Sequence, residues 1–101
     1  MLKAETLKDI ACTLGKDNVI KVGDDEVRSK KFSIGITKAQ RKVLKEQFME
    51  LEKAGKLVAT GEHDYDNCML WRGHDMEYSR IVISLFRDSV TISCILKYSS
   101  E

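Results

Sequence analysis

Residues 37–55 read TKAQRKVLKEQFMELEKAG, and this stretch decides the fold. Thr37 and Gln40 form the T-x-x-Q pattern of a capping box, in which each side chain satisfies a backbone N–H that an opening helix leaves unpaired. Val43, Leu44, Phe48 and Leu51 then fall within an arc of about 140° on a 3.6-residue wheel, so the helix buries one face. Gly55 closes it, with Lys53 and Lys56 near the negative end of the helix dipole. Gln47 lies inside the apolar arc. An unpaired buried amide costs about 1–3 kcal/mol, so Gln47 is expected to find a hydrogen-bond partner or to sit at the rim.

Upstream, Ala4, Leu7, Ile10, Ala11 and Leu14 recur at spacings of three and four, which predicts a helix over 3–14. Gly15 follows where a left-handed closing residue is expected. Strands are predicted at 18–22 and 32–36, separated by the turn signal Gly23-Asp24-Asp25-Glu26, with 27–31 readable as strand or loop. Downstream of the central helix the chain reads as β throughout. Strands are expected at 56–60, 68–72, 77–87 and 90–98, with a polar loop over 61–67 and a tight link at Asp88-Ser89. The order is α-β-β-α-β-β-β-β. Strands this close in sequence pair antiparallel, because parallel crossovers need a dozen or more residues. The expectation is one α+β domain over residues 1–101, an antiparallel sheet with both helices packed on one face.

A chain of 101 residues, 43% hydrophobic and 33% charged, has the composition of a globular domain, not a disordered segment. No run approaches the roughly 20 apolar residues of a membrane span. The start, Met1-Leu2-Lys3-Ala4-Glu5, carries charges where a secretory signal needs an apolar block. The expected setting is therefore the cytoplasm, or a host cytoplasm if a virus encodes the chain. Cys12, Cys68 and Cys94 have no metal-ligand spacing and are expected as reduced, mostly buried thiols.

Charge is segregated along the chain. Residues 28–45 hold seven cations, Arg28, Lys30, Lys31, Lys38, Arg41, Lys42 and Lys45, and no acid, in a protein of net charge +1. Residues 46–77 hold eight acids against Lys53, Lys56 and Arg72. A basic span of this kind attracts phosphates or an acidic protein surface. It also serves simply as a solvated strand edge and helix face. Lys38, Arg41, Lys42 and Lys45 lie in the N-terminal half of their helix, where cations are unfavourable by a few tenths of a kcal/mol each.

Other constellations are less pointed. The helix at 38–54 followed by a hairpin over 56–72 is similar to the last helix and wing of a winged-helix DNA-binding domain. That comparison needs a helix just upstream, and the wing tip carries Glu62, Asp64 and Asp66, which repel phosphates. The loop Glu62-His63-Asp64-Tyr65-Asp66-Asn67, with His74 and Asp75, lacks calcium-loop spacing and reads as hydrated turn residues. Arg72, His63, His74, Arg80, Arg87, Lys97 and Tyr98 are residue types that hold RNA and stabilise developing charge. A small domain ending in an antiparallel sheet is similar to RelE-type toxin and barnase-like folds, which implies a metal-independent endoribonuclease. Trp71, Phe86 and Tyr98 could stack on bases but are read as core or interface residues. Ile81-Val82-Ile83 puts apolar side chains on both faces of one strand, so Val82 and Phe86 are expected to be exposed and to support a homodimer through the sheet. The first expectation is a small non-enzymatic binding protein, a regulator or inhibitor of a larger assembly. It would use the 28–45 basic face against an acidic protein surface or nucleic acid, with no catalytic residue, cofactor or metal assigned.

Overall fold

A computed structural model describes residues 2–63 and 68–99. The elements are α1 (Ala4–Leu14), β1 (Lys16–Val22), β2 (Asp25–Gly35), α2 (Lys38–Lys53), β3 (Leu57–His63), β4 (Cys68–Gly73), β5 (Ile81–Leu85) and β6 (Ser89–Ser99). The strands form one sheet in the order β1-β2-β6-β5-β4-β3, antiparallel at every neighbouring pair. The α+β architecture and element order are those expected.

The capping box of α2 is complete. Gln40 N–H donates to Thr37 Oγ1 at 3.1 Å, and Thr37 N–H donates to Gln40 Oε1 at 2.9 Å. Gly55 takes φ +82 and ends the helix in the left-handed region. Gln47 does find its partners. Its Oε1 accepts the N–H of Ala4, the first residue of α1, and its Nε2 donates to Leu2 O at 3.2 Å. Lys3, the residue before α1, makes no side-chain cap, so α2 supplies what α1 lacks at its own start.

Register explains which side chains meet. Ile81, Ile83 and Leu85 of β5 stand opposite Cys94, Ile92 and Val90 of β6, and Trp71 of β4 stands opposite Ile83. All are buried, together with Ala4, Leu7 and Ala11 of α1 and Leu44, Phe48 and Leu51 of α2. Alternation sends Val82, Ser84, Thr91 and Ser93 to the other, uncovered face. α1 lies over β2 and β6, and α2 over β3. Phe48 and Trp71 make the central aromatic contact, ring centroids 5.2 Å apart.

Several expectations change. The ambiguous segment 27–31 is strand, and β1 and β2 close through Gly23-Asp24 with Gly23 at φ +66. Gly15 is not left-handed: its φ of −65 and ψ of 156 are extended. What requires glycine there is space, since a Cβ would lie 2.8 Å from Ala11 O and 2.9 Å from Lys31 O. β3 runs through Gly61, Glu62 and His63, the start of the expected polar loop, and the rest of that loop, 64–67, lies outside the described residues. The strand expected over 77–87 shrinks to Ile81–Leu85. Asp75 Oδ1 accepts the N–H of Tyr78 at 2.9 Å and Tyr78 O accepts from Ile81 N–H at 2.9 Å, so local turns take the backbone groups a ladder would use.

The expectation of reduced cysteines is corrected for two of the three. Cys12 of α1 and Cys94 of β6 form a disulfide with Cα atoms 5.4 Å apart, within the usual range. The two lie 82 residues apart in sequence, where no spacing rule connects them. Cys68 is buried in β4, outside the bond.

Candidate functional site

Lys38, Arg41, Lys42 and Lys45 fall at spacings of three and four on α2, so they form one continuous band about 10 Å long. Lys38 and Lys42 are exposed, Arg41 and Lys45 half-buried. Arg41 Nε donates to Phe86 O at 2.9 Å, which fastens the band to the β5–β6 turn and brings exposed Arg87 beside it. Among the described residues no ion pair engages Lys38, Lys42 or Lys45. The first turn of α2 contains no acid, whereas Glu46, Glu50 and Glu52 occupy its second half. Charge in the N-terminal half of α2 therefore runs against its dipole, while in the last turn Lys53 lies against the acids, 3.9 Å from Glu50.

The other three residues of the basic span do not join this band as a single patch. Lys30 Nζ donates to Thr13 O at 3.2 Å and helps hold the end of α1. Arg28 and Lys31 are exposed on β2, and Lys31 shares a face with Ser33, Ser93 and Thr91. Seven steps of β2 separate Arg28 from Gly35, about 24 Å. The span thus divides into a helical band of four and a dispersed strand set of three.

A second charged cluster contrasts with the first. Lys56 Nζ lies 2.9 Å from Glu77 Oε1 and 3.3 Å from Asp75 Oδ2, and Lys8 Nζ lies 3.1 Å from Glu77 Oε2. Both ammonium groups also sit over the Tyr78 ring, at 4.3 Å for Lys8 and 5.5 Å for Lys56. The hydrogen bond to Glu77, then that to Asp75, raises the Lys56 pKa. The hydrogen bond from Lys56, then that from Lys8, lowers that of Glu77. Burial, followed by the charge of Glu5, pushes the Tyr78 phenol up to about 12. Two cations meet two acids here, so the cluster neutralises itself and closes over a core residue.

The residues grouped under the ribonuclease comparison do not converge. Arg80 and Arg87 flank opposite ends of β5, whose four steps span about 14 Å. His74, whose N–H donates to Lys56 O at 2.8 Å, lies beyond β4 on the Arg80 side, and Arg72 is exposed next to Val82 on the uncovered face. The side chains of His63, Lys97 and Tyr98 lie outside what the structure describes. For the winged-helix comparison, the element before α2 is the 11-residue strand β2, so α2 has no preceding helix to form a helix-turn-helix. Among the described residues no His, Cys, Asp and Glu group is arranged to hold a metal ion.

The uncovered sheet face is more polar than Val82 alone implied. Val82 is 39% exposed, but its cross-strand neighbours are Ser93 and Arg72, and Phe86 is half-buried. Ser33 and Thr91 hydroxyls share a 2.8 Å hydrogen bond on the same face. No described helix is long and apolar enough to cross a membrane. Comparison with protein-family models, curated protein sequences and solved structures found no match.

Proposed function

We propose that the chain is a small non-enzymatic binding protein, a regulator or inhibitor that docks an acidic surface of a larger protein on the N-terminal half of α2. The observation that carries this reading is the row of Lys38, Lys42 and Lys45, which no ion pair engages among the described residues, beside Arg41 at the positive end of a helix dipole. Stability alone favours the opposite charge order. An external anion supplies what the fold does not. A compact acidic patch fits better than a long polyanion, because Glu50 and Glu52 on the same helix repel phosphates running past the band.

A cytoplasmic setting goes with this proposal. Disulfides are rare there, so the Cys12–Cys94 bond is the feature that argues against it. Alkylation of thiols in freshly lysed host cells decides between the two.

The test uses Lys38→Glu/Lys42→Glu, which leaves Arg41 and its bond to Phe86 in place. These reversals put acids in the first turns, so α2 is expected to gain a few tenths of a kcal/mol per site. Partners captured from a native lysate by the unmodified protein are expected to be lost with the variant. Undiminished capture by a folded variant refutes the band as the docking site. Capture that disappears on nuclease treatment, with affinity falling steeply with salt, replaces the protein partner with nucleic acid. Cleavage of total RNA in the presence of chelator replaces the binding reading with the ribonuclease one.

A further inference from the structure

The sheet has two edges, and they are built differently. β3 carries a register shift between Ala59 and Gly61, an irregularity of the kind that blunts an edge against further pairing. β1 is regular over all seven residues, and every side chain that the structure describes on it is exposed. Val19 and Ile20 stand 55% and 54% exposed on it, and α1 lies over β2 and β6, leaving this edge uncovered. The chain contains no proline to interrupt it.

Backbone geometry limits how β1 can pair with a second copy of itself. Along an antiparallel strand, successive residues direct their N–H and C=O groups to opposite neighbours. Two copies related by a twofold axis can therefore exchange hydrogen bonds only when the axis passes through a residue. The central choices are Asn18, Val19 and Ile20. An axis at Val19 sets Asp17 opposite the second copy's Lys21, and Lys21 opposite its Asp17, so opposite charges meet twice. It also sets Val19 against Val19 and Asn18 against Ile20. An axis at Asn18 opposes Asp17 to Val19 and Lys16 to Ile20. An axis at Ile20 opposes Lys21 to Val19. Only the Val19 register matches the single acid of β1 with a lysine of β1.

We propose that β1 is a self-recognition edge, through which two chains pair antiparallel about Val19 and join their six-stranded sheets into one. Lysines on an edge ordinarily discourage such pairing. Here Asp17 turns Lys21 from a guard into a selector of register. The interface is small compared with the roughly 1,200–2,000 Å² of stable complexes, so the dimer populates with rising concentration. This inference is independent of the α2 docking band.

Sedimentation equilibrium of the full chain is expected to show a mass rising from 11.5 kDa towards twice that value as concentration increases. Asp17→Lys and Lys21→Asp each place like charges in both pairs and are expected to weaken association about tenfold or more. Mixed together, the two variants are expected to form a heterodimer, because each then offers the charge the other lacks. Asp17 and Lys21 also stand opposite Lys30 and Glu26 within the chain, so a variant that unfolds needs a second measurement. Hydrogen exchange on the unmodified protein provides it: β1 amides are expected to become protected as concentration rises. A mass that stays at the monomer value overturns the proposal. So does a dimer that is indifferent to both reversals or leaves β1 exchange unchanged. β1 protection that appears only on adding host lysate overturns it in favour of a foreign strand.

Discussion

Breaking the Cys12–Cys94 bond is the perturbation with the largest magnitude readable from this fold. The bond joins α1 to β6 across 82 residues of sequence. Closing a loop of that length in the unfolded chain costs about 4.5 kcal/mol on the chain-entropy model, and measured disulfides commonly contribute about 2–4 kcal/mol. Domains of this size hold about 5–15 kcal/mol in total, so the reduced protein is expected to sit near the edge of stability. Few packing contacts offset the loss, because the buried residues of α1 are Ala4, Leu7 and Ala11 and two of these are alanines. Trp71, the only tryptophan, is buried beside Phe48 and reports unfolding by fluorescence. With a urea dependence of about 1.5 kcal/mol per molar, the midpoint is expected to fall by about 1.5–3 M on reduction. Cys12→Ala/Cys94→Ala is expected to match the reduced protein and to ignore reductant. Equal midpoints with and without reductant, or three alkylatable thiols in the unreduced protein, refute the reasoning.

Tyr78→Phe is expected to stabilise the protein by about 1 kcal/mol, because the buried hydroxyl has no hydrogen-bond partner among the described residues; a loss in thermal or urea unfolding contradicts this. With the Tyr78 pKa raised from 10.0 to about 12, its contribution is intact below pH 10 and lost as pH rises through 12, and raised Lys56 adds loss above 10.5. Lowered Glu77 contributes above pH 4.5 and is lost as pH falls through its folded value, so a stability profile is expected to be flat between and to fall at both ends. Gly73→Ala places a Cβ 1.4 Å from Tyr78 O and is expected to cost about 3 kcal/mol in urea unfolding; a cost within error of zero removes the close-approach explanation. Gln47→Leu strips the Ala4 N–H of its acceptor and is expected to cost about 1–2 kcal/mol, with exchange fastest at the first turn of α1.

What the sequence made legible was what local chemistry determines. The Thr37–Gln40 box, the Gly55 terminus and the alternation over 90–94 are each set by residues within a turn or a strand of one another, and each is present. Two of the misreadings have their cause in long-range contact. Gly15 is required by the carbonyl brought from Lys31, and the cysteine pairing depends on α1 lying over β6. Tyr78 and Ile81 looked like one strand because their spacing is apolar, yet Asp75 diverts the first of them into a turn. Of the seven basic residues, the helical four were recognisable as a band from their spacing. Arg28, Lys30 and Lys31 could not be placed without the sheet, where strand alternation separates neighbours in sequence. The β1 edge was hidden for the same reason, since only strand order reveals that, among the described residues, Lys16–Val22 has a strand on one side alone.

The cap that Gln47 places on α1 has a consequence for how the protein is made. α1 leaves the ribosome before the groups that fasten it. Its opening N–H waits for residue 47 and its covalent tether for residue 94. The strands it lies over, β2 and β6, are complete only at residues 35 and 99. α1 is thus secured only once β6 has been made, and until then the nascent chain carries an unfastened amphipathic segment.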